Sequence, residues 1–247
     1  INDSIQKVTD ELIGADNTQL LETKAEALIA KLRKVLAAHW EDVDMQPFGS
    51  IASGIGMLNS DLDVCLTRLG KPLPTQTSNH SLVRKINTAG EEVWYWHYLP
   101  ELLKQSGWQK VADYPTARYP IVSFFDPDIE LSCDISFGNH IGVSKAVFIK
   151  TLCQKEPRLK PVILVVKFWA KRRQINNSSA YTMNSFVLVL MVIFIFQKYG
   201  VLNKLEPISE EETCPQYNLD NISTDNTELT CAELLLLFFK YFSQEFD

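Results

Sequence analysis

Closely spaced cysteines are missing from this 247-residue chain, and so is any Cys/His spacing of the metal-binding kind. The five cysteines, Cys65, Cys133, Cys153, Cys214 and Cys231, are odd in number and scattered. Neither a zinc module nor a disulfide framework is indicated, and a reducing intracellular compartment is the expectation. A membrane-length apolar run is missing too. The most apolar stretch, FVLVLMVIFIF over 186–196, is far short of the roughly 20 residues a spanning helix needs. It reads as a buried core helix, and no membrane partner is expected. The N-terminal INDSIQKVTDELIG has no signal-peptide core. The chain lacks an initiator Met and stops at Asp247 just after a helical pattern, so both ends read as trimmed, which leaves room for a targeting segment outside these residues. No internal repeat or low-complexity tract occurs.

An excess of positive charge is also missing. The formal net charge of −6 argues against a generic nucleic-acid coat. The charges are unevenly placed, however. Residues 145–173 hold nine Lys or Arg and one acid, Glu156, whereas residues 206–247 hold ten acids and one base, Lys240. A protein divided in this way can hold a polyanion on one wall despite its acidic total.

With 46% hydrophobic and 22% charged residues, the chain has the composition of a globular protein with ample material for a core. Leu21, Ala25, Leu28, Leu32, Val35 and Leu36 fall at helical spacing within a predicted amphipathic helix over 19–40. DMQPFGS reads as a short extended piece and IASGIGMLNS as a Gly-punctuated stretch. DLDVCLT then alternates strictly, with Leu62, Val64 and Leu66 on one face and Asp61 and Asp63 on the other. Residues 74–81 read as a loop and 82–105 as a mixed, helical stretch. PIVSFFD and IELSCDIS read as strands joined by the turn chemistry of Asp126-Pro127-Asp128. The second strand puts Asp134 on its polar face. After Asn139, three helices are predicted in PVILVVKFWAKRRQI, MNSFVLVLMVIFIFQKYG and TCAELLLLFFKYFSQEF, the last opened by a Thr230/Glu233 capping box. Residues 206–227 read as an acidic connector. Cys65 and Cys133 sit inside apolar strand patterns and read as core thiols.

An Asp-x-Asp on a strand points two carboxylates the same way, and Asp134 would add a third if its strand were a neighbour. Three carboxylates suit a hard cation such as Mg²⁺. Paired cations about 3.5–4 Å apart clamp the attacking and leaving oxygens of an in-line displacement at phosphorus. Gly49 and Ser50 would form a tight turn into a helix N-terminus, where free N–H groups favour phosphate. A lone Asp-x-Asp is most often a solvated strand edge. Its conjunction with the Gly-Ser turn and Asp134 makes metal binding the better reading.

FGSIASGIGMLNSDLDVCL resembles the signature of the DNA polymerase β-like nucleotidyltransferases. KPVILVVKFWAKRRQIN…TMNSFVLVLMV is similar to the central domain of noncanonical poly(A) polymerases and terminal uridylyltransferases, and ELLLLFFKYFSQEFD to the start of their poly(A)-polymerase-associated region. The resemblance spans about 48–247, and the compact layout is similar to the minimal uridylyltransferases of kinetoplastids. It implies an α+β fold with a mixed-sheet nucleotidyltransferase domain over 40–140. A mostly helical poly(A)-polymerase-like domain over 1–39 plus 141–247 would pack against it, with the active cleft between.

By the same resemblance, Asp61, Asp63 and Asp134 are catalytic metal ligands for Mg²⁺ or Mn²⁺. Gly49, Ser50 and Ser60 touch the triphosphate, while Lys167 and Lys171, one helical turn apart, hold its β- and γ-phosphates. Ser185 and Phe186 match a Ser-Tyr pair that stacks on the base, Phe keeping the ring but not the hydroxyl. Asp247 matches an acid that reads the base, and Asn139 an asparagine near the sugar or primer. Lys145 stands where a second family asparagine reads the ribose, leaving Asn139 or Ser144 for that task. Arg118 matches an arginine near the cleft. On lysines and arginine alone, solvent-facing positions would be the default.

The implied activity is template-independent addition of UMP from UTP to a single-stranded RNA 3′ end. The alternatives are a poly(A) or oligo(A) polymerase using ATP, and a catalytically silent RNA- or partner-binding scaffold. Protein partners in an RNA-processing or RNA-editing complex are expected, with a mitochondrial location or a cytoplasmic one as the alternative. His80, His97 and His140 receive no role.

Overall fold

Helical spacing of leucines dictates the first element of the computed structural model. The structure describes residues 3, 7, 15–68, 83–86, 92–177, 180–204 and 228–246. Helix α1 (Ala15–Ala37) buries Leu21, Ala25, Leu28, Leu32 and Leu36 along one stripe. Each fully buried leucine contributes about 1.5–3 kcal/mol. The stripe packs into one hydrophobic core with Leu62, Val64, Cys133 and Ile135 of the sheet. That contact explains a departure from the expected boundaries. Two compact units are observed, Asn17–Val147 and Ile1–Asp16 with Phe148–Asp247. Residues 17–39 therefore belong with the sheet rather than with the helical part.

The sheet unit contains β1 (Asp44–Phe48), a single-turn α2 (Gly49–Ala52), β2 (Leu62–Arg68), β3 (Val83–Ile86), β4 (Glu92–Tyr95), α3 (Leu99–Gln105), β5 (Gln109–Tyr114), β6 (Ile121–Asp126) and β7 (Leu131–Phe137). Five strands make a mixed sheet in the order β1-β2-β7-β6-β5, and β3 and β4 form a separate antiparallel pair. This is the expected α+β class. Within the sheet only β2 and β7 run parallel. Strict alternation sorts the faces: Leu62, Val64 and Leu66 of β2 and Leu131, Cys133, Ile135 and Phe137 of β7 are buried. Asp63 and Asp134 therefore stand on the opposite face.

Two stretches differ from expectation. Among the described residues of 82–105, VRKI and EVWY form strands and Leu99–Gln105 is the helix, so this part is not chiefly helical. β-Branched and aromatic residues favour paired strands when a partner is available. Gln109–Tyr114 is an additional strand at the sheet edge, paired only with β6 through a register shift.

The division between the units falls within α4 (His140–Lys155), which precedes α5 (Leu159–Arg172), α6 (Ser185–Lys198) and α7 (Cys231–Lys240). The last three pack against one another. Arg158 ties them at one end, pairing with Glu156 at 2.7 Å and donating to the Leu229 carbonyl at 2.8 Å. The capping box at α7 is present: Thr230 N–H donates to Glu233 at 2.8 Å, and Glu233 N–H to the Thr230 hydroxyl at 3.3 Å. Helix α6 buries Leu188, Val189, Val192, Ile193, Ile195 and Phe196, but Val187, Leu190 and Phe194 remain exposed. It is thus a core helix on one side only. Among the described residues no helix is long and apolar enough to cross a membrane. The expected loop at 74–81, the connector at 206–227 and Asp247 lie outside the described residues.

Candidate active site

Asp63 and Asp134 are register partners on the adjacent parallel strands β2 and β7. Neighbouring strands lie about 4.8 Å apart, and paired residues project to the same face. Asp61 precedes β2 by one residue and shares the parity of Asp63. The three carboxylates are therefore brought together, alternation setting their face and the β2–β7 pairing their proximity.

Their surroundings are unusual for acids. Burial pushes the Asp63 carboxyl up to about 7, with the charges of Asp134 and Asp61 adding to it. Asp134 is also raised by burial, an effect opposed by the neighbouring Ser123 hydroxyl and reinforced by Asp61. Among the described residues no three His, Cys, Asp or Glu side chains are already closed around one metal-sized point. The fold fixes the strand placement, and a cation would gather the carboxylates. The donor set fits a hard divalent ion, being all oxygen. Cys65 follows on that face, but burial raises its pKa, which keeps the thiol protonated.

Gly49 is required where it stands. Its φ is +71°, and a Cβ there would lie 1.8 Å from Oδ2 of Asp63. The backbone turn after β1 thus rests directly on a carboxylate of the cluster, an approach only glycine permits. Ser50 follows in α2, and its carbonyl accepts the N–H of Ile55 at 3.0 Å. The Ser53 hydroxyl closes the turn onto the Gly49 carbonyl at 2.6 Å. Ser60 closes a second turn beside Asp61: its hydroxyl oxygen accepts from Met57 N–H at 2.9 Å, leaving its own proton to donate.

Asn139 caps α4, its Oδ1 accepting the N–H of Gly142 at 3.0 Å. A Cβ at Gly142 would lie 2.8 Å from the Phe48 ring and 2.9 Å from Asn139 Nδ2. Glycine there lets cap and ring close together. Lys145 and Ser144 are exposed on α4, and Arg118 is exposed with its guanidinium 6.0 Å from the Tyr119 ring.

In the helical unit, Lys167 and Lys171 lie one turn apart on α5 with very different surroundings. Lys171 is exposed, whereas Lys167 is only 2% exposed, so it is no solvent-facing lysine. Burial, with the charge of Lys171, lowers the Lys167 pKa to about 8. Ser185 opens α6, and its hydroxyl and the Asn176 amide lie within hydrogen-bond reach, 3.2 Å to Nδ2 and 3.3 Å to Oδ1. Phe186 is half-buried.

Ser123, Gly142 and Asn176 were not singled out by the sequence. Ser123 carried one faint signal, a polar residue at a strand-face position of PIVSFFD. Gly142 and Asn176 carried none.

Residues 1–154 match the family model described as poly(A) RNA polymerase, mitochondrial-like, central palm domain. That is more than half of the 247 residues. The chain belongs to this poly(A) RNA polymerase family. Poly(A) RNA polymerase GLD2 of Homo sapiens is 30% identical over 81% of this chain and 42% of that protein. GLD2 of Bos taurus is 27% identical over 99% of this chain and 52% of that protein. The chain spans about half the length of the curated relatives it matches. Among solved structures, Cid1 in complex with the UTP analogue UMPNPP matches with a TM-score of 0.75 at 22% identity, covering all of this chain and 73% of that one. A cytoplasmic RNA terminal U-transferase matches at 0.71 and 22%, covering all of this chain and 72% of that one. Likeness at that identity speaks for the shared fold, the polymerase β-like nucleotidyltransferase fold.

Proposed function

We propose that this chain carries out template-independent transfer of nucleotides to RNA 3′ ends, with Asp61, Asp63 and Asp134 holding two divalent cations, Mg²⁺ or Mn²⁺. The single observation behind this reading is the register pairing of Asp63 with Asp134 on parallel neighbouring strands. When bound, such a cation pair stabilises the attacking and leaving oxygens and lowers the pKa of the RNA 3′-hydroxyl.

The chain's own residues do the remaining work. Gly49 lets the backbone close on Asp63 and holds that carboxylate to one side. Ser50 and Ser60 offer hydroxyl protons to the triphosphate. Lys167 and Lys171 supply positive charge for the β- and γ-phosphates, and phosphate would favour the charged form of Lys167 against its burial. Asn139 spends its oxygen on the α4 cap, which leaves its amide hydrogens for a sugar hydroxyl. Ser185 would be oriented by Asn176, and Phe186 would offer a ring face to the base.

Two donors compete for the role of substrate. UTP is favoured by the compact layout and by the Cid1-like fold. ATP is favoured by the family model and by the GLD2 relatives, whose identity to this chain is higher. We take ATP as the first reading and UTP as the second. The test offers each of the four nucleoside triphosphates with a short single-stranded RNA and Mg²⁺, and reads product length. An ATP ladder supports the first reading and a UTP ladder the second. No extension with any of them would overturn the activity and leave a binding scaffold.

A further inference from the structure

Asp134 has a neighbour on each side. Asp63 faces it from β2, and Ser123 faces it from β6, where the two are register partners in the antiparallel β6–β7 ladder. The alternation of β6 buries Val122, Phe124 and Asp126 and puts Ser123 on the other face, with the carboxylates. From there its hydroxyl stands beside the Asp134 side chain and favours the charged carboxylate against burial. The two residues belong to paired strands, so the backbone ladder keeps the hydroxyl next to the carboxylate.

A carboxylate accepts at about four lone-pair positions. One donor from the side fixes its orientation and leaves the remaining positions for a cation. Groups that orient metal ligands in this way alter metal affinity by roughly 10–100-fold when removed. Asp63 is steadied by a different device, the close approach of Gly49.

We propose that Ser123 is a positioning residue: its hydroxyl holds the Asp134 carboxylate on the face shared with Asp63 and thereby sets the affinity of the cluster for divalent cations. This rests on the metal-binding reading above. Ser136 provides an internal control. It lies on the same face of β7, buried, with no hydrogen-bond partner for its hydroxyl among the described residues. It is a serine on the same face whose register partner on β6 is Ile121, not an acid.

The experiment titrates the full, nucleotide-free chain with Mn²⁺ and follows free ion by electron paramagnetic resonance, alongside thermal melts. Ser123→Ala should weaken Mn²⁺ binding about tenfold, and Ser123→Thr, which keeps a hydroxyl on a β-branched strand residue, should restore it. Ser136→Ala should bind as wild type does. Asp134→Ala separates the two levels of the argument. If it binds Mn²⁺ like wild type, or if wild type binds none, the metal site itself is refuted and the role of Ser123 with it. If Asp134→Ala loses binding while Ser123→Ala retains wild-type affinity, the positioning role alone is overturned. A weakening of equal size in Ser136→Ala, or no recovery in a well-folded Ser123→Thr, would also overturn it.

Discussion

Asp126 and Asp63 lie in the same sheet and have opposite electrostatic fates. Asp126, at the end of β6, is fully buried and surrounded by donors: Lys31 at 2.7 Å, the Trp108 indole at 2.6 Å, and the N–H groups of Asp128 and Ile129 at 2.9 and 3.0 Å. Burial alone would raise its pKa, but these donors outweigh burial and hold it below the ordinary carboxylate value. Asp63 is less buried, yet burial and two neighbouring carboxylates drive its pKa up to about 7. The protein satisfies a buried charge where that charge holds the sheet to α1. On the face of β2 and β7 it leaves charge uncompensated. Acids raised by burial and like charge cluster at functional sites.

The comparison can be broken at either end. The largest expected effect is on stability at Asp126. Asp126→Ala leaves the Trp108 indole and two backbone N–H groups without their acceptor, and should cost about 3 kcal/mol. Urea unfolding followed by tryptophan fluorescence checks this, and a loss below about 0.5 kcal/mol would remove the contrast. Next comes Gly49→Ala, whose Cβ collides with Asp63 at a backbone angle suited to glycine. Primer extension should fall about 100-fold, the scale of a displacement near 1 Å in a catalytic group. Circular dichroism should be unchanged.

A smaller effect is expected at α5. Lys171→Ala should raise the KM for nucleotide about tenfold, the worth of one charge-assisted hydrogen bond. RNA affinity should be affected less, and an unchanged nucleotide KM would return Lys171 to an ordinary surface role.

The smallest effect concerns pH, and it sharpens the contrast through its sign. The Asp63 pKa is raised from 3.8 to about 7, so the metal-free folded state binds more protons than the unfolded state between those values. Its contribution is fully present below about pH 4 and is lost as pH rises through about 7. Asp126 has a lowered pKa, so its contribution is present above about pH 4 and lost as pH falls below that. Melting temperature measured in chelator should show the Asp63 slope in wild type and lack it in Asp63→Asn.

Much of this arrangement was legible in the amino-acid order, because alternation with period two leaves a direct trace. DLDVCLT and IELSCDIS each announced one polar face, and Asp61, Asp63 and Asp134 followed from them. The adjacency of β2 and β7 was not legible. Strand pairing is decided by the whole core, and roughly 70 residues of chain separate Asp63 from Asp134. Asp126 was read as turn chemistry, which it provides, but its partner Lys31 comes from α1 and leaves no local mark. The burial of Lys167 was hidden for the same reason, since tertiary packing and not the local sequence decides it. β5 was missed because an edge strand exposed at Gln109, Lys110, Asp113 and Tyr114 carries little apolar alternation. The likeness to known nucleotidyltransferases placed residues in roles; register and burial supplied the physical grounds for testing them.

The most direct test is primer extension by Asp63→Asn, assayed with Mg²⁺ or Mn²⁺ beside a thermal melt in chelator at pH 8. No extension with any nucleoside triphosphate is expected, and a melting temperature at or above wild type, because a buried repelling charge has been removed. Extension at the wild-type rate by a homogeneous Asp63→Asn preparation would contradict it.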